Sequence, residues 1–191
     1  MIKKPFTFIY IFAFLLLIFG LKSEALVTEL GLSYGYTKKT FSASNFYQTD
    51  SKSVSFSFYF LEKFSLETSY TDAFYESQES DVNSTRTVQQ SSKIGDGSLV
   101  YMLVDRKSMI QPYIKAGAAH VTKSQVVKYL NASAIEVPAS SGWAPSYGAG
   151  LKFVLSERFS VKLAYDVWQT PLSDNTSSED NSFKAGLSWY L

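Results

Sequence analysis

The chain has 191 residues, 18 Lys plus Arg against 17 Asp plus Glu, and no cysteine. The lack of cysteine excludes a disulfide framework and a thiolate metal site. The near balance of charge is unlike the strongly basic surface of a nucleic-acid-binding protein, so we expect no nucleic-acid partner. With one histidine, a metal site built from several histidines is also excluded.

The N-terminal segment has the pattern of a secretory signal peptide. The basic residues Lys3 and Lys4 precede an almost unbroken apolar run over residues 5–21, and a cut after Ala25 would follow a small-x-small sequence. A retained anchor is the alternative, because these 17 residues at about 1.5 Å each make roughly 25 Å as a helix, near the lower limit for crossing hydrocarbon. We expect cleavage, with residues 1–25 as the signal peptide.

Beyond Ala25 the hydrophobic pattern has a period of two, and no segment keeps a helical period. In the clearest run Val161, Leu163 and Tyr165 share one face of a strand, opposite Lys162. Eight strands are predicted, near 26–40, 51–61, 64–76, 91–104, 110–123, 145–155, 159–168 and 181–191. An even number suits a closed antiparallel barrel with both termini on one side.

The predicted connections alternate in length. Three are short and charged, at 61–63, 105–108 and 156–158, and four are long and rich in Ser, Asn, Thr and Asp, at 41–50, 77–90, 124–144 and 169–180. Short periplasmic turns and long extracellular loops are typical of outer-membrane barrels. A soluble β-sandwich would show no such regular alternation.

The two faces of the strands differ in chemistry. The apolar sets are too aromatic for a surface in water and too numerous for the inside of a small barrel, so lipid is the solvent that suits them. The opposite face carries four acids and four bases, which are Glu29, Glu67, Asp96, Lys115, Lys152, Lys162, Asp166 and Lys184. A lysine facing lipid at the bilayer midplane costs roughly 2–4 kcal/mol, and eight strands enclose a lumen about filled by side chains. We therefore expect these charges to pair inside a plugged barrel.

Aromatic residues at strand ends are expected to lie at the two headgroup levels of the bilayer. The residues expected there are Tyr36, Tyr70, Trp168, Trp189 and Tyr190.

The fourth and fifth strands are less regular. Ile94 shares its side with Asp96 and Val100, so either the lumen is partly apolar or the strand is bulged. In the fifth strand Lys115 must point inward, and this leaves the small residues Ala116 and Ala118 on a thin outward face together with Ile114. Pro112 fits near the strand end, where its missing donor costs least.

Two motifs support a family resemblance. The ending Lys184-Ala-Gly-Leu-Ser-Trp-Tyr-Leu191 resembles the C-terminal signal of outer-membrane β-barrels, with Leu191 where that family usually has an aromatic residue. The stretch from Pro112 to Gly117 resembles a Pro-Tyr-x-x-x-Gly strand opening of the same group. Over its mature length the chain is similar to the small eight-stranded barrels of the OmpA transmembrane domain, OmpX and OmpW types.

This resemblance implies an all-β, closed, antiparallel, eight-stranded transmembrane barrel over residues 26–191 in the outer membrane of a Gram-negative bacterium. It also implies contact with lipid and lipopolysaccharide. The barrel-assembly machinery is expected to recognise the C-terminal strand through Lys184, Gly186, Trp189 and Leu191.

The fold does not fix an activity. A structural or surface-interaction role without catalysis is our first interpretation, and an OmpW-like, porin-like conduit for small apolar molecules is the alternative. A lipid A-modifying enzyme is a weaker third interpretation, because the His-x-Ser-Asn motif of the deacylases is replaced by His120-Val-Thr-Lys123. We expect no catalytic, cofactor-binding or metal-binding residues. The acids Asp72, Glu76, Glu79 and Asp81 lack calcium-loop spacing.

Overall fold

Eight antiparallel strands form a closed ring in which each strand pairs with the next and β1 pairs with β8. The structure is a computed structural model that describes residues 27–42, 45–81, 84–129, 132–171 and 177–191. Its strands are β1 (Val27–Ser42), β2 (Asn45–Tyr59), β3 (Phe64–Asp81), β4 (Ser84–Met102), β5 (Ile110–Tyr129), β6 (Ala132–Val154), β7 (Phe159–Pro171) and β8 (Ser177–Tyr190). The predicted closed barrel is confirmed, and the predicted signal peptide at residues 1–25 lies outside the described residues.

The alternation in the sequence sets the two sides of the wall. Leu187 is 58% exposed on the outer surface, whereas the next residue, Ser188, is fully buried in the lumen. The same change of side recurs along the other strands, because successive side chains of a strand point to opposite faces. Along most of the strands the outer surface is therefore apolar, and the inner surface carries the charged and most of the buried polar residues, as predicted.

The three short turns lie where the sequence places them. The β6–β7 turn closes by a bond from the Leu155 N–H to the Phe159 carbonyl at 2.9 Å, and Ser156 Oγ accepts from the N–H of Arg158. The β2–β3 and β4–β5 turns are joined by an ion pair between Lys63 Nζ and Asp105 Oδ1 at 2.9 Å. The hydrogen bond to Asp105 raises the pKa of Lys63.

The prediction of four long loops is wrong for most of their residues. β1 and β2 stay paired up to Ser42 and Asn45, and β3 and β4 stay paired up to Asp81 and Ser84. β5 and β6 continue to the same end of the barrel with two register shifts. Where both faces of a strand meet water, apolar alternation disappears while the hydrogen-bonded ladder continues, so a polar strand extension has the composition of a loop.

Two apolar clusters lie inside the barrel. One consists of Tyr59, Val100, Met102 and Tyr113, and the other of Ile94, Ala119, Val121, Ala144 and Trp168. The ladders of β4 with β3 and β5 run through Ile94 without a register shift. The inward apolar residues of β4 therefore belong to a partly apolar lumen, and the alternative of a bulge is wrong.

Two of the aromatic residues predicted at headgroup level lie in the lumen instead. Trp168 is 4% exposed within the second cluster, and the Tyr190 hydroxyl accepts a hydrogen bond from Lys152. Both share the inward side of their strands with charged or small residues, and that position outweighs the general preference of aromatic residues for the interface. Tyr36 and Tyr70 are exposed on the outer surface.

Candidate functional site

A continuous series of ion pairs fills the middle of the lumen. Lys152 Nζ lies 2.5 Å from Glu29 Oε2, and Lys162 Nζ lies 3.8 Å from Glu29 Oε1 and 3.0 Å from Glu67 Oε2. The series continues from Glu67 Oε1 to Lys115 Nζ at 3.3 Å. Glu29, Glu67, Lys115 and Lys152 come from β1, β3, β5 and β6 respectively. Lys162 comes from β7 and contacts both acids.

The series ends near β8. Lys115 Nζ also lies 2.9 Å from Asp166 Oδ1, and Lys184 Nζ lies 3.1 Å from Asp166 Oδ2. Each of the three linked acids therefore contacts two lysines. Asp96, the eighth predicted charge, accepts hydrogen bonds from Ser98 at 2.7 Å and Ser146 at 2.5 Å. The inward direction predicted for all eight charges is confirmed.

Glycines make room for this network. A Cβ added to Gly148 would lie 2.8 Å from Asp166 Oδ1 and 3.1 Å from Lys115 Cε, and one added to Gly150 would lie 2.4 Å from the Tyr113 ring. Both glycines occupy inward positions of β6, between charged or aromatic side chains of neighbouring strands. The sequence shows which side of β6 Gly148 and Gly150 occupy, because they alternate with apolar residues. It does not show that side chains of β5 and β7 fill the space beside them.

The turn end of the lumen is closed by tyrosines and a cation. The Tyr59 hydroxyl donates to Glu29 Oε2 at 2.5 Å, and Lys152 Nζ donates to the hydroxyls of Tyr59 at 3.2 Å and Tyr190 at 2.5 Å. The guanidinium of Arg106 lies 4.6 Å from the centroid of the Tyr59 ring and 5.7 Å from that of Tyr190. Such cation–π contacts are stabilising when solvent is excluded.

Gln111 holds the β4–β5 turn beneath this end. Its fully buried side chain donates from Nε2 to the carbonyl of Arg106 at 2.6 Å and to that of Ser108 at 3.0 Å. The turn thereby lies across the mouth of the barrel. The sequence predicted a short turn but did not indicate this contact, because a single glutamine at the start of a strand can make many different hydrogen bonds.

At the opposite end of the barrel, the described part of β8 bends inward before its ladder with β1 begins. The β1–β8 ladder ends at Tyr34 and Ala185, and Ser182 Oγ lies 3.1 Å from Ser51 Oγ on β2. Farther along, Asp180 forms an ion pair with Lys123 on β5. The described residues of β8 before Phe183 therefore leave the ladder with β1, and Asp180 reaches across the mouth of the barrel.

Gly35 lets β8 lie close to β1 at the end of their ladder. A Cβ at Gly35 would lie 2.2 Å from the carbonyl oxygen of Phe183, a distance that real side chains do not tolerate. Contacts of the same kind occur at Gly117 and Gly186 within regular ladders, so this one places β8 beside β1 as far as Phe183. On the β7 side, Trp168 packs among Ile94, Ala119, Val121 and Ala144, and Lys184 Nζ lies 5.1 Å from its ring centroid.

Little space remains in the lumen. A cavity of about 40 Å³ lies among Glu67, Lys115 and Lys162, enough for about one water molecule. Among the residues that the structure describes, no group of three or more His, Cys, Asp or Glu side chains is arranged to hold a metal ion, and no helix is long and apolar enough to cross a membrane. His120 is exposed on the outer surface, and its ring centroid is 5.4 Å from that of Trp143.

No protein-family model and no curated protein matches the chain. The fold is similar to solved structures of outer-membrane barrels. The N-terminal β-barrel domain of Pseudomonas aeruginosa OprF matches with a TM-score of 0.56 and 18% identity over 86% of this chain and 97% of that one. The outer membrane protein OprG from P. aeruginosa matches with a TM-score of 0.54 and 10% identity, covering 87% and 94%. Neisserial surface protein A matches with a TM-score of 0.49 and 14% identity, covering 86% and 96%.

These findings define the class of fold. The chain folds as a small, closed, eight-stranded β-barrel of the outer-membrane type, as the family resemblance implied.

Proposed function

We propose that the protein is an outer-membrane β-barrel of a Gram-negative bacterium with a closed lumen and a structural or surface-interaction role. The observation that supports it best is the segregation of charge. Seven charged side chains form one ion-pair series inside the wall, while large apolar side chains such as Leu32, Leu66 and Ile114 are about half exposed outside. Hydrocarbon is the solvent that suits such an outer surface.

The polar strand extensions support the surface role. Strands β1 to β6 continue as one paired sheet through the segments that the sequence predicted as long loops, where a few exposed apolar residues such as Phe41 and Ile135 lie among polar ones. Their side chains there include exposed charges such as Lys38, Lys39 and Glu79. A paired sheet of this kind offers lipopolysaccharide or another surface partner an extended array of polar groups. The identity of that partner is left open.

Planar-bilayer conductance tests the closed lumen. We expect the refolded protein to give no steady channel, because the ion pairs, the tyrosine layer with Arg106, and the ion pair of Asp180 with Lys123 lie along the path. A steady conductance from protein with the mobility of a folded barrel on unheated gels would contradict the proposal. It would favour the alternative of a conduit for small molecules.

We propose no catalytic role. His120 and Thr122 share the outward side of β5, while Lys123 points inward to its ion pair with Asp180. The His120 ring lies beside that of Trp143 on this outer surface. This arrangement favours a surface position for the histidine over the base of a Ser/His pair.

The C-terminal strand is proposed to be the contact with the assembly machinery, through Lys184, Gly186, Trp189 and Leu191. Lys184 is buried against Asp166 in the finished barrel, whereas Leu191 is 70% exposed at the strand end. Lys184 would therefore be available to the machinery only before the barrel closes.

Replacing Trp189 and Leu191 together with Ala is expected to lower the amount of folded barrel in outer-membrane fractions several-fold, while export continues. Heat-dependent gel mobility of fractionated membranes measures this. Leu187→Ala on the same strand is the control and should have little effect. Refolding into lipid vesicles needs no machinery, so the double variant and Leu187→Ala should refold to a similar extent there. If the double variant loses as much folded barrel in vesicles as in cells, its defect is in stability instead.

A further inference from the structure

A cavity of about 380 Å³ lies in the barrel wall at the end of the β1–β8 ladder. The ladder ends at Tyr34 and Ala185, and the cavity is lined by side chains of β1, β2, β7 and β8 beyond that pair. Every residue of this lining belongs to the described part of the chain. The volume is near the lower end of the range for small-molecule sites, about 300–1,000 Å³, so it suits a ligand of one or two rings.

Aromatic rings from both sides of the wall line this cavity. The outer side contributes Tyr36, Tyr165 and Phe183, and the inner side contributes Tyr47. The Tyr47 ring lies edge-on against that of Tyr75, with ring centroids 4.8 Å apart, so a neighbouring strand fixes its position. Tyrosine combines an apolar ring with a hydroxyl, and this lining therefore suits a ligand that carries both C–H and polar groups.

Two polar groups beside the cavity have no partner among the described residues. The Thr49 hydroxyl is shielded from solvent and makes no hydrogen bond, and the Lys39 ammonium forms no ion pair. A buried polar atom is nearly always hydrogen-bonded in a folded protein, so an unpaired hydroxyl that lines a cavity points to a polar ligand there. On the β8 side, Asn181 adds an amide that can both donate and accept.

We propose that this cavity binds an acidic sugar. The Lys39 ammonium pairs with the carboxylate of the sugar through a charge-assisted hydrogen bond, while Thr49 and Asn181 bond its hydroxyls. The rings of Tyr36 and Phe183 pack against its C–H groups. An apolar ligand of the same size would leave the ammonium and the buried hydroxyl unpaired, and a small inorganic anion would leave the aromatic lining without a contact.

The cavity lies toward the end of the barrel opposite the short turns, which the proposed function places outside the cell. An acidic sugar reaches it there from one of two sources, the lipopolysaccharide of the outer leaflet or the surrounding solution. Only this placement rests on the proposed function. Binding of the free sugar by refolded protein does not depend on it, so the two proposals can fail separately.

Binding of free D-glucuronate to the refolded protein, measured by saturation-transfer NMR, tests the site. We expect saturable binding that is several-fold tighter than that of D-glucose, which has the same ring without the carboxylate. K39Q should remove this preference, whereas K38Q should keep it, because Lys38 lies on the other side of β1 over the Phe46 ring at 5.5 Å. Only protein with folded-barrel mobility on unheated gels is counted. Equal glucuronate affinity in K39Q and the unsubstituted protein, or no saturable binding, would overturn the proposal.

The buried hydroxyl provides a second, independent measurement. T49V should weaken glucuronate binding several-fold, because it removes the unpaired hydroxyl from the lining. T40V is the matched control, since Thr40 is a threonine of the paired strand β1 that is not part of the lining. Equal glucuronate affinity in T49V and T40V would contradict the contact of the sugar with this hydroxyl.

Vesicles distinguish the two sources of the sugar. The protein is refolded into phosphatidylcholine vesicles with and without lipopolysaccharide, and the affinity for free glucuronate is compared. A lower apparent affinity in the presence of lipopolysaccharide would assign the site to a sugar carried by the lipid. An unchanged affinity would assign it to a free acidic sugar.

Discussion

Replacing Glu29 with Gln is expected to destabilise the barrel by about 3–5 kcal/mol, the cost of breaking a buried ion pair by removing one partner. Lys152 is fully buried, and Glu29 is its carboxylate partner in the described part of the chain. The substitution leaves the ammonium with the neutral hydroxyls of Tyr59 and Tyr190. Urea unfolding in lipid vesicles, followed by tryptophan fluorescence and gel mobility, measures the free energy of unfolding.

Two controls separate this effect from a general loss of packing. Glu67→Gln should cost less, because Lys115 keeps Asp166 at 2.9 Å and Lys162 keeps Glu29 at 3.8 Å. The double substitution Glu29→Met with Lys152→Met should recover most of the stability, since apolar replacement of a whole buried pair is often neutral or stabilising. Equal losses for Glu29→Gln and Glu67→Gln would contradict the view that each lysine depends on its own acids.

The inward direction of the charges could be predicted from the sequence, but their partners could not. The direction of a side chain follows from its position along its own strand, which is local information. The partner of Lys152 is Glu29, 123 residues earlier in the chain. That contact depends on how far the strands are staggered around the closed barrel, and the stagger leaves no pattern within any one strand.

The strand extensions and the inward bend of β8 escaped prediction for different reasons. The extensions have water on both sides, so the apolar alternation that identifies a strand is missing although the ladder continues. The inward approach of β8 is seen in the ion pair of Asp180 with Lys123, which lies on a distant strand, and no pattern within β8 shows this partner. The positions of Trp168 and Tyr190 were also missed, although their inward side could have been read from Asp166 and Ser188 on the same strands.

Replacing Leu163 with Lys is expected to destabilise the barrel by about 2–4 kcal/mol if the residue lies near the bilayer midplane, and by less toward the interfaces. Leu163 lies on the outer side of β7 between Leu151 and Ala185, so its ammonium would enter hydrocarbon rather than the ion-pair series. Unfolding by urea in vesicles measures the loss. Leu163→Met is the control and should stay close to the unsubstituted protein.

Labelling then shows that the loss comes from the lipid side of the wall. A cysteine at Leu163 should react with a lipid-soluble maleimide and resist a water-soluble one, whereas a cysteine at Ala164, which lines the central cavity, should be shielded from lipid. The two positions are adjacent, so they share depth and differ only in side. Because a one-residue slip turns every side chain to the other face, a reversed pattern would place Lys162 and Asp166 in hydrocarbon and remove the basis for the ion-pair series.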